Sequence, residues 1–119
     1  MEFGERRRLP DRRPTSTFGI AHRGKNGQER GYTISVGFFD REEREPAEIF
    51  VTGPKVGSEL ETVARDCAIL WSIARQYGAP VDVLAHALTQ EQDGTPSTVI
   101  GLIAALLLKY TLETKGEQP

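Results

Sequence analysis

"EIFVTGPKVGSELETVARD" runs from Glu48 to Asp66 and contains the change of period that decides the fold. Its opening residues alternate, with Ile49 and Val51 on one side and Glu48, Phe50 and Thr52 on the other, which is the two-residue repeat of a strand. A glycine-bracketed loop, Gly53 to Gly57, follows and carries Lys55. From Ser58 the apolar spacing changes to three and four, and Ser58 with Glu61 forms the S-x-x-E capping box of a helix start. A strand, a loop with a cation and a fresh helix N-terminus can together hold an anion, because unpaired N–H groups and the positive end of the dipole face the loop. Lys55, Gly57 and Ser58 are therefore a candidate anion site. The same stretch also reads as a capped turn, since Ser58 and Glu61 can satisfy those N–H groups and Glu59 and Glu61 repel a phosphate.

Upstream, "YTISVGFF" (Tyr32 to Phe39) places Tyr32, Ile34, Val36 and Phe38 on one face and Thr33, Ser35, Gly37 and Phe39 on the other. "STFGIAHR" (Ser16 to Arg23) alternates through Phe18 and Ile20, and "AEIFVT" (Ala47 to Thr52) sets Ala47, Ile49 and Val51 on one side. The loops "GKNGQERG" and "DREEREP" are short, so the three strands are expected to form an antiparallel meander. Phe39 and Phe50 fall on the second sheet face, which implies partial cover by helices or a partner subunit.

Downstream, Leu60, Val63, Ala64, Cys67, Leu70, Trp71 and Ala74 fall within an arc of about 120° on a helical wheel, and this stripe is expected to face the core. Gly78 and Pro80 end that helix. "VDVLAHAL" is a short second helix. Thr95 is the expected N-cap of the last, with Pro96 at its first position, and this helix (Ser97 to Leu112) is apolar nearly all round. Such a helix must be buried, and a subunit interface is one place to bury it. The expected fold is α+β: a three-stranded antiparallel meander followed by about three helices packed on the sheet. One domain is expected over residues 16–112, between an arginine-rich arm (1–15, flexible because of its prolines and like charges) and a frayed tail (113–119).

Composition narrows the chemistry. With 15 basic and 17 acidic residues in 119, no global field draws the chain to nucleic acid or membrane. The longest apolar run, Val99 to Leu108, is half of a membrane span. "MEFGERRRLP" is charged with no apolar stretch after it, so a cytoplasmic location is expected. Cys67 is the single cysteine, excluding an internal disulfide and a four-cysteine zinc site; on the apolar stripe it reads as a small core residue. His22 and His86 have no second ligand at metal spacing, so no metal site and no catalytic constellation is expected. The carboxylates of "DREEREPAE" read as a solvated turn, except Glu48, which lies in a strand and is expected to have a fixed partner. Arg6, Arg7, Arg8, Arg12 and Arg13 in the arm can contact the phosphates of a nucleotide or nucleic acid, or dock on an acidic partner.

Five short patterns occur in order: Arg-x-Arg-Leu-Pro at Arg6 to Pro10, Gly31-Tyr32, Glu48-Ile49-Phe50, Lys-x-Gly-Ser at Lys55 to Ser58, and Ser-x-x-x-Gln-Tyr-Gly-x-Pro at Ser72 to Pro80. In this order and spacing, over about residues 6–88, the chain resembles the TSCPD domain. That domain is found near the C-terminus of cobalamin-dependent (class II) ribonucleotide reductases and in small stand-alone proteins. The resemblance marks Tyr32, Glu48, Phe50, Ser72, Gln76 and Tyr77 as pattern positions, without assigning them roles. Two departures stand out. The turn after the second strand, usually a tight Asp-Gly type, is the longer "DREERE", and the Thr-Ser-Cys-Pro-Asp run that names the family is absent, as are zinc-ribbon-like cysteines.

The resemblance implies an association with ribonucleotide reduction. That reaction needs a large barrel, a thiyl-radical cysteine, a redox cysteine pair and, in this class, an adenosylcobalamin pocket. A chain of 119 residues with one cysteine does not supply them. The expectation is a non-catalytic accessory, regulatory or interaction module that binds no cofactor itself, acts as a homodimer and has a ribonucleotide reductase subunit as a possible partner. A nucleic-acid or nucleotide-phosphate binder using the arm is the alternative; ribonucleoside-diphosphate reductase activity in the chain itself is the third reading.

Overall fold

The computed structural model describes residues 4–24, 27–53 and 58–116. Three strands, β1 (Thr15–Arg23), β2 (Glu29–Phe38) and β3 (Pro46–Thr52), precede three helices, α1 (Glu59–Gln76), α2 (Val81–Ala87) and α3 (Val99–Gly116). The sheet order is β1-β2-β3 with both pairings antiparallel, the expected meander. Its register sets Phe18 opposite Ile34, Ile20 opposite Tyr32, Ile34 opposite Val51 and Val36 opposite Ile49. The alternation seen in the sequence therefore becomes one continuous apolar face. Tyr32, Ile34, Val36, Phe38, Ile49 and Val51 on that face are all buried, against Ala64, Ala68 and Trp71 of α1 and Ile103, Ala104 and Leu107 of α3.

The turn between β2 and β3 shifts the register. A bulge between Gly37 and Phe38 pairs Phe38 with Pro46, and the chain leaves the sheet before Phe39. Phe39 thus does not join Phe50 on the second face; it is buried at the sheet end, whereas Phe50 stays 57% exposed.

The apolar stripe of α1 is the larger correction. Ala64 and Trp71 are buried and Cys67 is half-buried, but Leu60, Val63 and Leu70 are exposed at 54%, 54% and 67%. The buried face instead carries Glu61, Ala64, Ala68, Ser72 and Gln76. The cause is the free edge of β3. Ser72 Oγ accepts from the Ile49 backbone N–H at 2.9 Å, Gln76 Nε2 donates to the Ala47 carbonyl at 3.3 Å, and Arg75 Nε donates to the Pro46 carbonyl at 2.7 Å. An unpaired strand edge has a row of groups that must find partners, and α1 turns its polar side chains to it. Ala64, Ala68 and Ser72 are spaced four apart and small, which permits the close approach.

The helix ends follow local chemistry. Ser58 caps α1 by accepting from the Glu61 N–H at 3.2 Å. Gly78, at φ 101°, reverses the chain after α1, and the Ala79 N–H reaches back to the Ala74 carbonyl at 2.9 Å. α3 starts later than expected. Gln90 bridges Pro96, and Thr95 is held in a turn by Asp93, so Thr98 becomes the cap, accepting from Gly101 N–H at 3.1 Å. Ile100, Ile103, Ala104 and Leu107 of α3 are buried, while Leu112 is 60% exposed. No helix of the described residues is long and apolar enough to cross a membrane.

Candidate functional site

Pro10 and Pro14 keep the segment before β1 out of helix, and its backbone lies extended along the end of α1 and the sheet. The Arg7 N–H donates to the Gln76 carbonyl at 2.7 Å, and the Phe38 N–H donates to the Pro14 carbonyl at 3.2 Å. Arg6 Nε donates to Gln76 Oε1 at 2.7 Å. Gln76, only 5% exposed, therefore joins three segments: its Oε1 and carbonyl hold the arm, and its Nε2 holds β3. It lies one helical turn beyond Ser72, so both act on the same edge.

Glu48 is the second anchor. Arg13 Nε lies 2.5 Å from Glu48 Oε2, and Arg13 Nη1 donates to the Pro10 carbonyl at 2.8 Å. Glu48 crosses over Gly37, where a Cβ would stand 2.8 Å from its Cγ and 3.0 Å from its Cδ. The partner expected for Glu48 is thus Arg13. A charge-assisted pair at this depth is worth more than an exposed one, because less water competes.

Arg7 is held differently. Its guanidinium carbon lies 3.9 Å from the centroid of the Phe39 ring, and Nη2 pairs with Glu45 at 3.2 Å. Arg75 approaches the same ring at 5.8 Å. Burial depresses the Arg75 guanidinium below its ordinary value; Glu45 opposes that shift and Arg7 adds to it. Glu45 is set by its turn, since Asp40 accepts from the Arg44 and Glu45 N–H groups at 2.9 to 3.1 Å.

Arg6, Arg7, Arg8 and Arg13 consequently line one open cleft of about 420 Å³ together with Glu48 and Gln76. Arg8 pairs with Asp11 at 3.4 Å, but both side chains are almost fully exposed. Arg12 is also exposed. Of the sequence-derived candidates, the structure brings Arg6, Arg7, Arg8, Arg13, Glu48 and Gln76 into one cleft, with Ser72 behind them on the edge of β3. Phe50 lies two residues beyond Glu48 on the same strand face. Tyr77 is the C-cap of α1. Tyr32 is elsewhere, in the core beside Gly53 and Glu61. Lys55 and Gly57 lie outside the described residues. Ser58 acts as a cap, and Glu61, 2% exposed, pairs with Arg65 Nη2 at 2.7 Å.

Sequence reading missed Arg75, Glu45 and Phe39 as members of this end of the molecule. Arg75 is three residues from Ser72 and so shares its face, a signal that an apolar wheel does not register. Neither histidine joins the cleft, and no group of three His, Cys, Asp or Glu side chains among the described residues converges at metal distance.

A family model described as TSCPD domain matches residues 5–111, from the arm through most of α3. The match extends past the segment that carries the five short patterns and takes in the last helix. No curated protein and no solved structure matches the chain.

Proposed function

The chain belongs to the TSCPD domain family, and from that membership we propose that it is a non-catalytic accessory module of ribonucleotide reduction that takes the phosphates of a nucleotide in the arginine cleft. The observation that carries this reading is the set of guanidiniums from Arg6, Arg7, Arg8 and Arg13 around one opening. Gln76 is neutral, so it orients Arg6 without cancelling its charge. The exposed Arg8–Asp11 pair is worth about 0–1 kcal/mol, which a phosphate readily replaces. Arginine forks match phosphate oxygens two at a time, and their anchoring lowers the ordering cost of binding. Phe50, exposed on the adjoining strand face, offers a surface for a base.

Both acids that line the cleft are paired, Glu48 with Arg13 and Asp11 with Arg8, and beside it Glu45 pairs with Arg7, which supports binding rather than proton transfer. Adenosylcobalamin has no part in this reading. A cleft of about 660 Å³ sets Asp40, Arg44, Glu45, Arg75, Asp82 and Lys115 beside Pro46, Pro80, Val81, Leu108 and Leu112, a mixed lining. The partner in this reading is a ribonucleotide reductase subunit that the bound module regulates. Nucleic acid presents the same phosphates, but no aromatic side chain interleaves Arg6 to Arg13 for stacking.

Calorimetric titration with dATP, ATP and inorganic triphosphate tests the reading against R8E/R12E, two exposed positions on which the fold does not depend. Micromolar binding by the wild type, weakened at least tenfold in the double variant, is expected. Equal affinity in both, or no binding by either, would overturn it. Tighter binding of single-stranded DNA than of any nucleotide would move the function to nucleic acid.

A further inference from the structure

The inner face of the β1–β2 pair ends on two polar residues. His22 and Arg30 stand directly opposite one another, one pair beyond Ile20 and Tyr32 on the same side of the sheet. Both are half-buried. They line a cleft of about 250 Å³ whose other walls include Tyr32, Leu60, Val63, Cys67, Val99 and Ile100, so it lies between the sheet end, α1 and the start of α3. It shares no residue with the arginine cleft. Arg30 brings to this mostly apolar space a charge with no answering one. Its Nη2 donates to the neutral Gln28 Oε1 at 3.2 Å, and among the described residues no carboxylate pairs with it. The neighbouring cross-strand pair, Arg23 and Glu29, projects from the opposite face, where the two neutralise each other at 3.4 Å. The hydroxyls at the rim are engaged, Ser97 with Glu91 and Thr98 with the Gly101 N–H.

We propose that this cleft binds a small monocarboxylate with an apolar body, its carboxylate on Arg30 and His22 and its body against Leu60, Val63 and Val99. A planar guanidinium matches two carboxylate oxygens, and a charge-assisted bond strengthens where apolar walls exclude water. Directly opposed strand residues are close enough for the His22 ring to reach the same carboxylate. The charge count selects the ligand. Arg30 supplies one fixed positive charge, which a monoanion balances; a phosphate monoester carries about −1.5 to −2 and leaves an excess among apolar walls. Size narrows it further. A cavity of about 150 Å³ holds a benzene ring, so 250 Å³ takes about ten non-hydrogen atoms, the size of octanoate. Leu60 and Val63, each 54% exposed, are then wall residues of a binding cleft.

Cys67 makes the proposal testable with the native chain, since the single thiol lines the cleft and reports its occupancy. Octanoate should slow the reaction of Cys67 with an aromatic disulfide reagent, with protection that saturates, and should move the amide resonances of Arg30, Val99 and Ile100. Arg30→Gln removes the charge and should weaken the protection about tenfold or more, the loss expected of a bond to a charged group. Val63→Glu, at an exposed wall position that the fold tolerates, sets a like charge against the ligand and should weaken it comparably while keeping the far-UV circular dichroism. Octanol, with the same chain and no charge, should protect far less. No protection of the wild type by octanoate would overturn the proposal, as would protection that both variants retain. Octanol or octyl phosphate protecting as well as octanoate would overturn the assignment of a monocarboxylate.

Discussion

Ser72 Oγ lies 2.9 Å from the backbone nitrogen of Ile49 and 2.7 Å from the carbonyl oxygen of Ala68, so one hydroxyl joins helix α1 to the free edge of β3. It accepts from the strand and donates to its own helix. Together with Gln76 and Arg75 it replaces the missing neighbour strand, and that fixes the rotation of α1.

Ser72→Ala leaves the Ile49 N–H buried without its partner. Such a loss costs about 1–3 kcal/mol, so thermal unfolding followed by circular dichroism should shift down by several degrees. Ser72→Thr keeps the hydroxyl and should recover part of the loss; an unchanged midpoint for Ser72→Ala would contradict the edge-sealing role.

Gly37→Ala places a Cβ 2.8 Å from Glu48 Cγ, and Glu48 must then leave Arg13. Overpacking of this kind costs about 1–3 kcal/mol. The diagnostic readout is local: amide exchange of Arg13 and of Phe38, whose N–H is held by Pro14, should quicken more than that of Ile103 in the core.

Glu43 holds φ at 57° in the turn between β2 and β3, a left-handed conformation that suits Gly or Asn better than Glu. Glu43→Asn should stabilise the protein by about 0.5–1 kcal/mol, measured by urea denaturation. A loss of stability would show that the Glu43 side chain holds the turn.

Asp93 accepts from the Thr95 hydroxyl and the Thr95 N–H, and these bonds hold its carboxyl below the ordinary value of 3.8. A depressed acid contributes stability above its unfolded value and loses it as pH falls through the folded one. The Thr95 amide resonance should therefore titrate with its midpoint below the ordinary 3.8. Asp93→Asn should abolish that acid-side movement.

The strands were legible because the inner sheet face is buried and the outer one is not: Tyr32, Ile34, Val36 and Phe38 show the alternation directly. The orientation of α1 was not, because a wheel of apolar residues cannot register that Ser72, Arg75 and Gln76 have strand carbonyls and amides to pair. The missed signal was the shared face of those three residues. Phe39 was misplaced by a bulge, which shifts one strand by a residue and leaves no mark in the alternation. The site was half legible. The arginines and Glu48 stand out as charges in unusual places, but Arg6 and Gln76 are 70 positions apart, and their bond comes from the fold as a whole. Lys55 and Gly57, prominent in the sequence, lie outside the described residues and gain no geometric support.

The most direct test of the account is a ¹⁵N NMR titration of the full chain with dATP. Shifts concentrated at Arg6 to Arg13, at the Gln76 side-chain amide and at Phe50 are predicted, with Val99 and Ile100 at the far cleft unmoved. Shifts confined to the cleft between α1 and α3, or none at millimolar nucleotide, would contradict it.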